Sequence, residues 1–308
     1  MSAGTPSDAG TRAFVQPDLL PGMDPGPVPP PLRYPGGKAR VARLLLQYAP
    51  PHREYREVFA GGAALFFQKR KAETSWINDR HPGLYAFYVA VRDDFGEFAD
   101  LCRKQTGDLR SLFEYWANRR DLMEAEGDSS ILERAVQFYF INRTVWGGRV
   151  VYDPQRKSRL YFSNPQGWHN LERRLERLAL ASAKLQGVKI TCLSFEQCLR
   201  ECTADTFIYC DPPYIRDTLC HPTDKLYDRS FDEEHHRALA SLLKDTPAKV
   251  MISYDDCPEA RELYSDGPWR FVQLEWRYCG RYALTKKDKA NGVKERKVPG
   301  KELLILNY

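Results

Sequence analysis

Apolar residues recur along this chain at two spacings, and the alternation between them predicts the architecture. Val41, Leu44, Leu45 and Tyr48 fall three and four apart, which predicts a helix over 38–49. Glu54 to Phe59 reads as a short strand running into a small-residue turn, and Leu65, Phe66 and Phe67 place a helix after that turn. Residues 74–78 give a second strand ending at Asn78 and Asp79, followed by a helix through Leu84, Tyr88 and Val91. Strand, glycine turn, helix, strand, acid and helix together are the opening of an α/β unit.

From Phe95 to about Lys184 this alternation stops. Helical stretches over 95–105, 109–125 and 130–142 precede a strand-prone segment through Val150, Val151, Leu160, Tyr161 and Phe162, and an amphipathic helix follows from Trp168 to Ala183. The pattern then resumes with strands over Val188–Leu193, Thr206–Cys210 and Lys249–Ser253 and a helix over Glu233–Leu243, on which His235 and His236 read as surface positions. Residues 269–278 and 302–307 are expected to close the sheet as an antiparallel pair, joined by a lysine-rich loop over 279–300. Residues 1–31 hold eight of the 21 prolines and almost no periodic apolar residue, so they read as a disordered or extended arm, with order beginning at Leu32 or Arg33. The expected organisation is therefore an arm (1–31), a discontinuous sheet domain (32–94 and 185–308) and a mainly helical insertion (95–184).

A chain of 308 residues with 43% hydrophobic side chains has room for a sizeable core. No apolar run reaches the roughly 18 residues of a membrane span, and the first residues lack the pattern of a signal peptide, so a cytoplasmic protein is expected. The eight cysteines are scattered, and Cys198 and Cys202 lack the second half of a zinc site; no metal is expected. The net charge of +5 says little, but its distribution says more. Residues 142–177 carry eight Lys or Arg against three acids, and residues 277–301 carry nine against two. Each segment could meet a phosphate backbone or simply be a solvated surface, and charge alone leaves both open.

The strongest chemical signal is Asp211, Pro212, Pro213 and Tyr214, directly after the apolar strand Phe207–Cys210, where open α/β sheets bind ligands. Two consecutive prolines stiffen the loop and remove two N–H donors, so it presents carbonyls. Such a loop suits an adenine amino nitrogen, whose lone pair is delocalised into the ring. The Asp211 carboxylate and the Pro212 carbonyl can accept its two protons and free the lone pair, while the Tyr214 ring stacks on the base. A second signal is Phe59, Ala60, Gly61, Gly62 and Ala63, a turn whose small residues admit a cofactor close to the backbone. Asp79, at the end of the next strand, can bind ribose hydroxyls or cap the helix after it. A third signal is Arg33, Tyr34, Pro35, Gly36, Gly37 and Lys38; Ala39 stands where a phosphate-binding P-loop needs Ser or Thr, which disfavours a nucleoside triphosphatase.

Taken in order, the segments RYPGGK (33–38), EVFAGGAALFF (57–67), INDRHPGLYAFY (77–88), FYFINRTVWGGR (138–149), IYCDPPY (208–214), KVMISYDD (249–256) and KELLILNY (301–308) resemble the Dam-type, D12 class DNA adenine-N6 methyltransferases. The resemblance implies a Rossmann-like class I methyltransferase sheet with a closing antiparallel hairpin and an inserted, mainly helical target-recognition domain with a β-hairpin downstream of Arg149. It also implies S-adenosylmethionine as methyl donor and a flipped adenine in duplex DNA as acceptor. It carries the catalytic role to Asp211, Pro212, Pro213 and Tyr214, and cofactor contacts to Tyr34, Pro35, Gly36, Gly37, Lys38, Glu57, Phe59, Gly61, Gly62, Asp79, Phe195 and Asp211. DNA contacts fall to Asn142, Arg143, Trp146, Arg149, Lys157 and Arg159. A monomer in a bacterium or phage, acting on the nucleoid with or without a cognate restriction endonuclease, is the implied setting. Three positions depart from the family pattern: Ala63 in place of the turn's second glycine, expected to crowd the cofactor; Ser194 in place of an aspartate before Phe195; and VVYDPQRKSRLYF after Arg149, which does not support GATC as target. An RNA adenine or protein glutamine methyltransferase, or a silent DNA-binding relative, are the alternative readings.

Overall fold

The computed structural model describes residues 24–34, 36–119, 122, 131–148, 150, 162–163, 166–215, 231–278 and 298–308. Among them, strands β1 (Glu54–Glu57), β2 (Thr74–Asn78), β3 (Lys189–Thr191), β4 (Thr206–Cys210), β5 (Lys249–Asp255), β6 (Arg270–Tyr278) and β7 (Val298–Leu306) form one sheet in the order β3-β2-β1-β4-β5-β7-β6. The first five run parallel, and β7 lies antiparallel between β5 and β6. The closing pair anticipated from the pattern is present, with β7 starting four residues earlier than the apolar run suggests. Every residue of β4 is buried, as are Tyr55–Glu57 of β1 and Val250–Tyr254 of β5, as expected when both faces are covered. Phe207, Tyr209, Met251, Leu304 and Leu306 enter one hydrophobic cluster, and Ile208, Cys210, Val250, Ile252, Leu303 and Ile305 enter the other.

The helices are α1 (Ala42–Leu45), α2 (Ala64–Gln68), α3 (Pro82–Asp93), α4 (Phe95–Arg103), α5 (Leu109–Asn118), α6 (Ile131–Thr144), α7 (Gln166–His169), α8 (Leu171–Leu185), α9 (Phe195–Cys198), α10 (Glu233–Lys244) and α11 (Pro258–Leu263). The single helix expected over 38–49 is instead α1 flanked by two 3-10 turns, Lys38–Arg40 and Leu46–Tyr48. Helices α4 to α8 of the insertion have no core of their own. Phe98, Tyr139, Trp168 and Leu175 share one cluster with Tyr55, Phe66, Phe67 and Phe87, and the Phe87 and Tyr139 rings stack at 5.5 Å. The described part of 95–184 is thus a layer on one sheet face. The expected hairpin falls mostly on 151–161, outside the described residues, and its one described pairing is the Val145–Phe162 bridge.

Two sequence expectations are corrected. Residues 24–31 belong to the fold: Val28 is buried and its N–H donates to the Phe67 carbonyl at 2.8 Å. The fully buried Lys184 ammonium donates to Asp24 Oδ1 (3.0 Å) and to the carbonyls of Gly26 and Lys69 (both 2.6 Å). Burial alone would raise the Asp24 carboxyl, yet the Lys71 N–H and the Lys184 charge hold it below its ordinary value. Prolines there direct an extended path rather than disorder, and the residue that fixes it lies 160 positions away. His236 is likewise no surface residue, being buried with Nδ1 at 2.8 Å from the Tyr254 hydroxyl; burial brings it down to about 4 and so keeps it neutral.

Candidate functional site

The strand order reverses between β1 and β4, so the segments leaving their carboxyl ends emerge side by side, as at the ligand crevice of open α/β sheets. Glu57 pairs with Tyr209, and the Val58 N–H donates to the Tyr209 carbonyl at 3.1 Å. The Gly61–Gly62 turn follows β1, and the Asp211 loop follows β4. The first motif closes over both. Its Gly37 N–H returns to the Tyr34 carbonyl at 3.0 Å, and a Cβ at Gly37 would stand 2.8 Å from that oxygen, so the turn admits only glycine. Tyr34 lays its ring on the glycine turn, where a Cβ at Gly61 would meet it at 2.7 Å.

Three groups brace the turn from below. Asp79 accepts from Gly61 N–H at 2.8 Å and from His81 N–H at 2.9 Å. Burial raises its carboxyl despite those two donors. The cap of α3 is not Asp79 but His81, whose Nδ1 accepts from the Gly83 N–H at 3.0 Å. Tyr88 donates its hydroxyl to the Gly61 carbonyl at 2.7 Å. Glu57 turns into the core, accepting from Phe66 N–H (2.9 Å) and Tyr55 OH (2.8 Å), and burial pushes it up to about 8. As placed, Glu57 supports the turn from beneath. Ala63 is fully buried at φ 47°, so its departure from glycine appears as left-handed backbone, at a cost of about 1 kcal/mol, rather than as crowding of the crevice. Ser194 caps α9 in a reciprocal box with Gln197, a local use for the residue that replaces an aspartate. The Phe59 and Phe195 rings meet at 6.0 Å, and Phe231, which sequence reading passed over, packs edge-on against Phe59 at 5.6 Å.

In the Asp211 loop, the buried Lys38 ammonium spans both carboxylate oxygens, at 2.7 and 2.9 Å. Burial raises the Asp211 carboxyl, and the Lys38 charge opposes that rise. The same ammonium lies 3.3 Å from Glu302 Oε1 and 4.9 Å from the centre of the Tyr214 ring, and the Tyr214 hydroxyl donates to Glu302. Glu302 lies in the KELLILNY segment and at the head of its apolar run, but the sequence assigned it no role at the site.

The residues expected on DNA divide differently. Asn142 and Arg143 are buried: Asn142 Nδ2 donates to the carbonyls of Arg33 (2.7 Å) and Gly148 (2.8 Å), and Arg143 donates to the Pro31 carbonyl. As placed, they anchor residues 31–33 and face no outer surface, a correction to their reading as DNA contacts. The sequence motif could not show that Asn142 Nδ2 and one Arg143 N–H pair with backbone carbonyls. Trp146 lies in a 3-10 turn at the end of α6, while Arg149, Lys157, Arg159 and Pro35 fall outside the described residues. Arg33 and Arg174, absent from the motif, join Arg143 in a cluster of like charge. Burial and the Arg143 guanidinium pull both below the usual arginine value, and neither forms an ion pair among the described residues.

A mostly parallel seven-stranded sheet that reverses order beside a glycine turn, with an acid-proline-proline-tyrosine loop across the crevice, is consistent with the class I methyltransferase fold. Residues 34–279 match the family described as D12 class N6 adenine-specific DNA methyltransferase, and the chain belongs to that family. It is 26% identical to a DNA N-6-adenine-methyltransferase of Escherichia phage P1, over 79% of this chain but 32% of that protein. It is 27% identical to the type II methyltransferase M.MjaIII of Methanocaldococcus jannaschii (73% of this chain, 84% of that one) and 24% identical to a DNA adenine methylase of Haemophilus influenzae (79% and 85%). The family implies DNA as substrate and a methyl donor of the S-adenosylmethionine type. Among the described residues no helix is long and apolar enough to cross a membrane, and no group of His, Cys, Asp and Glu is arranged to hold a metal.

Proposed function

We propose that the protein transfers a methyl group from S-adenosylmethionine to the N6 amino group of an adenine flipped out of duplex DNA. The observation that carries this reading is the junction of Lys38, Asp211 and Tyr214 at the end of β4, across from the glycine turn at the end of β1. The donor fits the residues present. A turn without Cβ atoms lies under the Tyr34 ring, and the carboxylates Asp79 and Asp211 suit a nucleoside bearing positive charge. Tyr34, Gly61, Gly62, Asp79, Phe195 and Asp211 would hold it. S-adenosylmethionine supplies, when bound, a methyl group on a cationic sulfur.

The chain's own residues act on the acceptor. An ionised carboxylate offers about four lone-pair sites, so Asp211 can accept an amino N–H while keeping Lys38. The Pro212 carbonyl takes the second N–H, and the prolines contribute no donor that would compete. With both protons held, the nitrogen approaches tetrahedral geometry and its lone pair turns toward the donor. Stacking on Tyr214, at roughly 1–3 kcal/mol per base, offsets much of the few kcal/mol that extrusion costs. Incubation with tritiated S-adenosylmethionine and equimolar mixed-sequence duplex DNA, RNA and protein should label the DNA alone, as N6-methyladenine after nuclease digestion. Label in RNA or protein, or none at all, would refute the assignment.

A further inference from the structure

Strand β7 is apolar on both faces, with Leu303, Leu304, Ile305 and Leu306 fully buried, and yet its preceding position, Glu302, is a carboxylate with no exposed surface. Burying an ion costs several kcal/mol unless good partners compensate it, and a well-packed apolar residue usually serves stability at least as well. A Glu in this place therefore asks for a reason other than stability. Its partners supply one. Glu302 accepts the hydroxyl proton of Tyr214 and lies 3.3 Å from the Lys38 ammonium, so it touches both side chains that flank Asp211 while lying outside the loop itself.

We propose that Glu302 is the positioning residue of this site: its buried carboxylate fixes the Tyr214 ring through the phenol hydroxyl and, as a second counter-charge to Lys38, leaves the crevice with net negative charge. Among the described residues that meet here, the Asp211 and Glu302 carboxylates and the Lys38 ammonium leave one negative charge when all three are ionised. Tyr214 held at its hydroxyl presents one ring orientation, whereas a ring free to rotate would pay ordering entropy at each encounter with a base. The negative charge favours a cationic donor over its neutral thioether product, which helps to bind the reactant and release the product. This inference rests on the reading that the site takes S-adenosylmethionine.

Calorimetric affinities for S-adenosylmethionine and S-adenosylhomocysteine, measured on the full chain without DNA, test the charge directly. Their ratio cancels shape and general stability, since the two ligands differ in the methyl group and its charge. Glu302→Gln keeps an acceptor for Tyr214 and removes the charge; the preference for S-adenosylmethionine is expected to fall by about tenfold for a unit charge acting across a partly screened site, and Glu302→Asp should restore it. A folded Glu302→Gln protein with the wild-type ratio overturns the proposal. Should Gln not be tolerated there, Tyr214→Phe carries the test by removing only the hydroxyl bond. Its kcat is expected to fall about tenfold with the ratio of affinities unchanged, and wild-type kcat overturns the proposal. A wild-type protein that binds neither ligand refutes the cofactor reading instead, and one that binds both but labels no DNA refutes only the substrate reading.

Discussion

At the carboxyl ends of β1 and β4 the Lys38 ammonium lies between Asp211 and Glu302, a set in which every charge has an opposite neighbour. Along α6, α8 and residues 31–34, by contrast, Arg33, Arg143 and Arg174 feel one another's charge, and Arg33 and Arg174 have no carboxylate partner among the described residues. The first arrangement is internally paired and suited to holding a reacting group in fixed geometry. The second is a cluster of like charge among the described residues, which a polyanion such as a phosphate backbone would complement. Yet the motif that drew attention to this basic region, Asn142 and Arg143, is its buried scaffold.

The largest expected effect breaks the first arrangement. Asp211→Ala should lower kcat by about a thousandfold while S-adenosylmethionine binding, read by calorimetry, is partly retained; turnover at the wild-type rate would show that the carboxylate does not act on the amino group. The buried charge beside it can be probed by pH. An unfolded Glu57 ionises at its ordinary 4.5, but folded it holds its proton to about 8. The unfolded chain therefore binds fewer protons in between, and stability falls as pH rises through that window, by up to about 1.4 kcal/mol per unit, levelling above it. Urea unfolding from pH 5 to 8 should show the decline flattened in Glu57→Gln, and parallel curves for the two proteins would place the proton elsewhere.

Asn142→Ala sharpens the division within the basic region. It removes two donors to the Arg33 and Gly148 carbonyls, leaving both short of a partner, and should cost about 2 kcal/mol of stability in denaturant titrations without changing the salt slope of DNA binding. A reduced slope at full stability would return Asn142 to the DNA surface. Arg174→Ala should do the reverse, with stability kept and the slope of log affinity against log salt reduced by about one in fluorescence anisotropy. An unchanged slope would remove Arg174 from the phosphate path.

Much of this was legible beforehand. Alternating apolar runs gave β1 to β5 to within two residues at each end, and the loop Asp211–Tyr214 was placed after β4 because both signals are local: a strand shows its period within five residues, and two prolines stiffen a loop wherever they stand. The insertion was legible as helices but not as a layer of the common core, since the stacking of Phe87 on Tyr139 joins segments that nothing in either pattern connects. The same holds for residues 24–31, whose prolines suggested an unattached arm because Lys184 lies far along the chain.

By itself, then, the sequence determined the order of elements, the stiff loop Asp211–Tyr214 after β4 and the small-residue turn after β1, all consequences of local periodicity and backbone sterics. Only the tertiary structure decided what the charged side chains pair with. It turned Glu57 inward, set Asn142 Nδ2 and an Arg143 N–H against backbone carbonyls, and brought Glu302 from 88 residues away to hold Tyr214. A carboxylate or an arginine has the same formula in solvent, in a clamp and in a crevice; its role follows from the partners that folding places within about 3 Å of it.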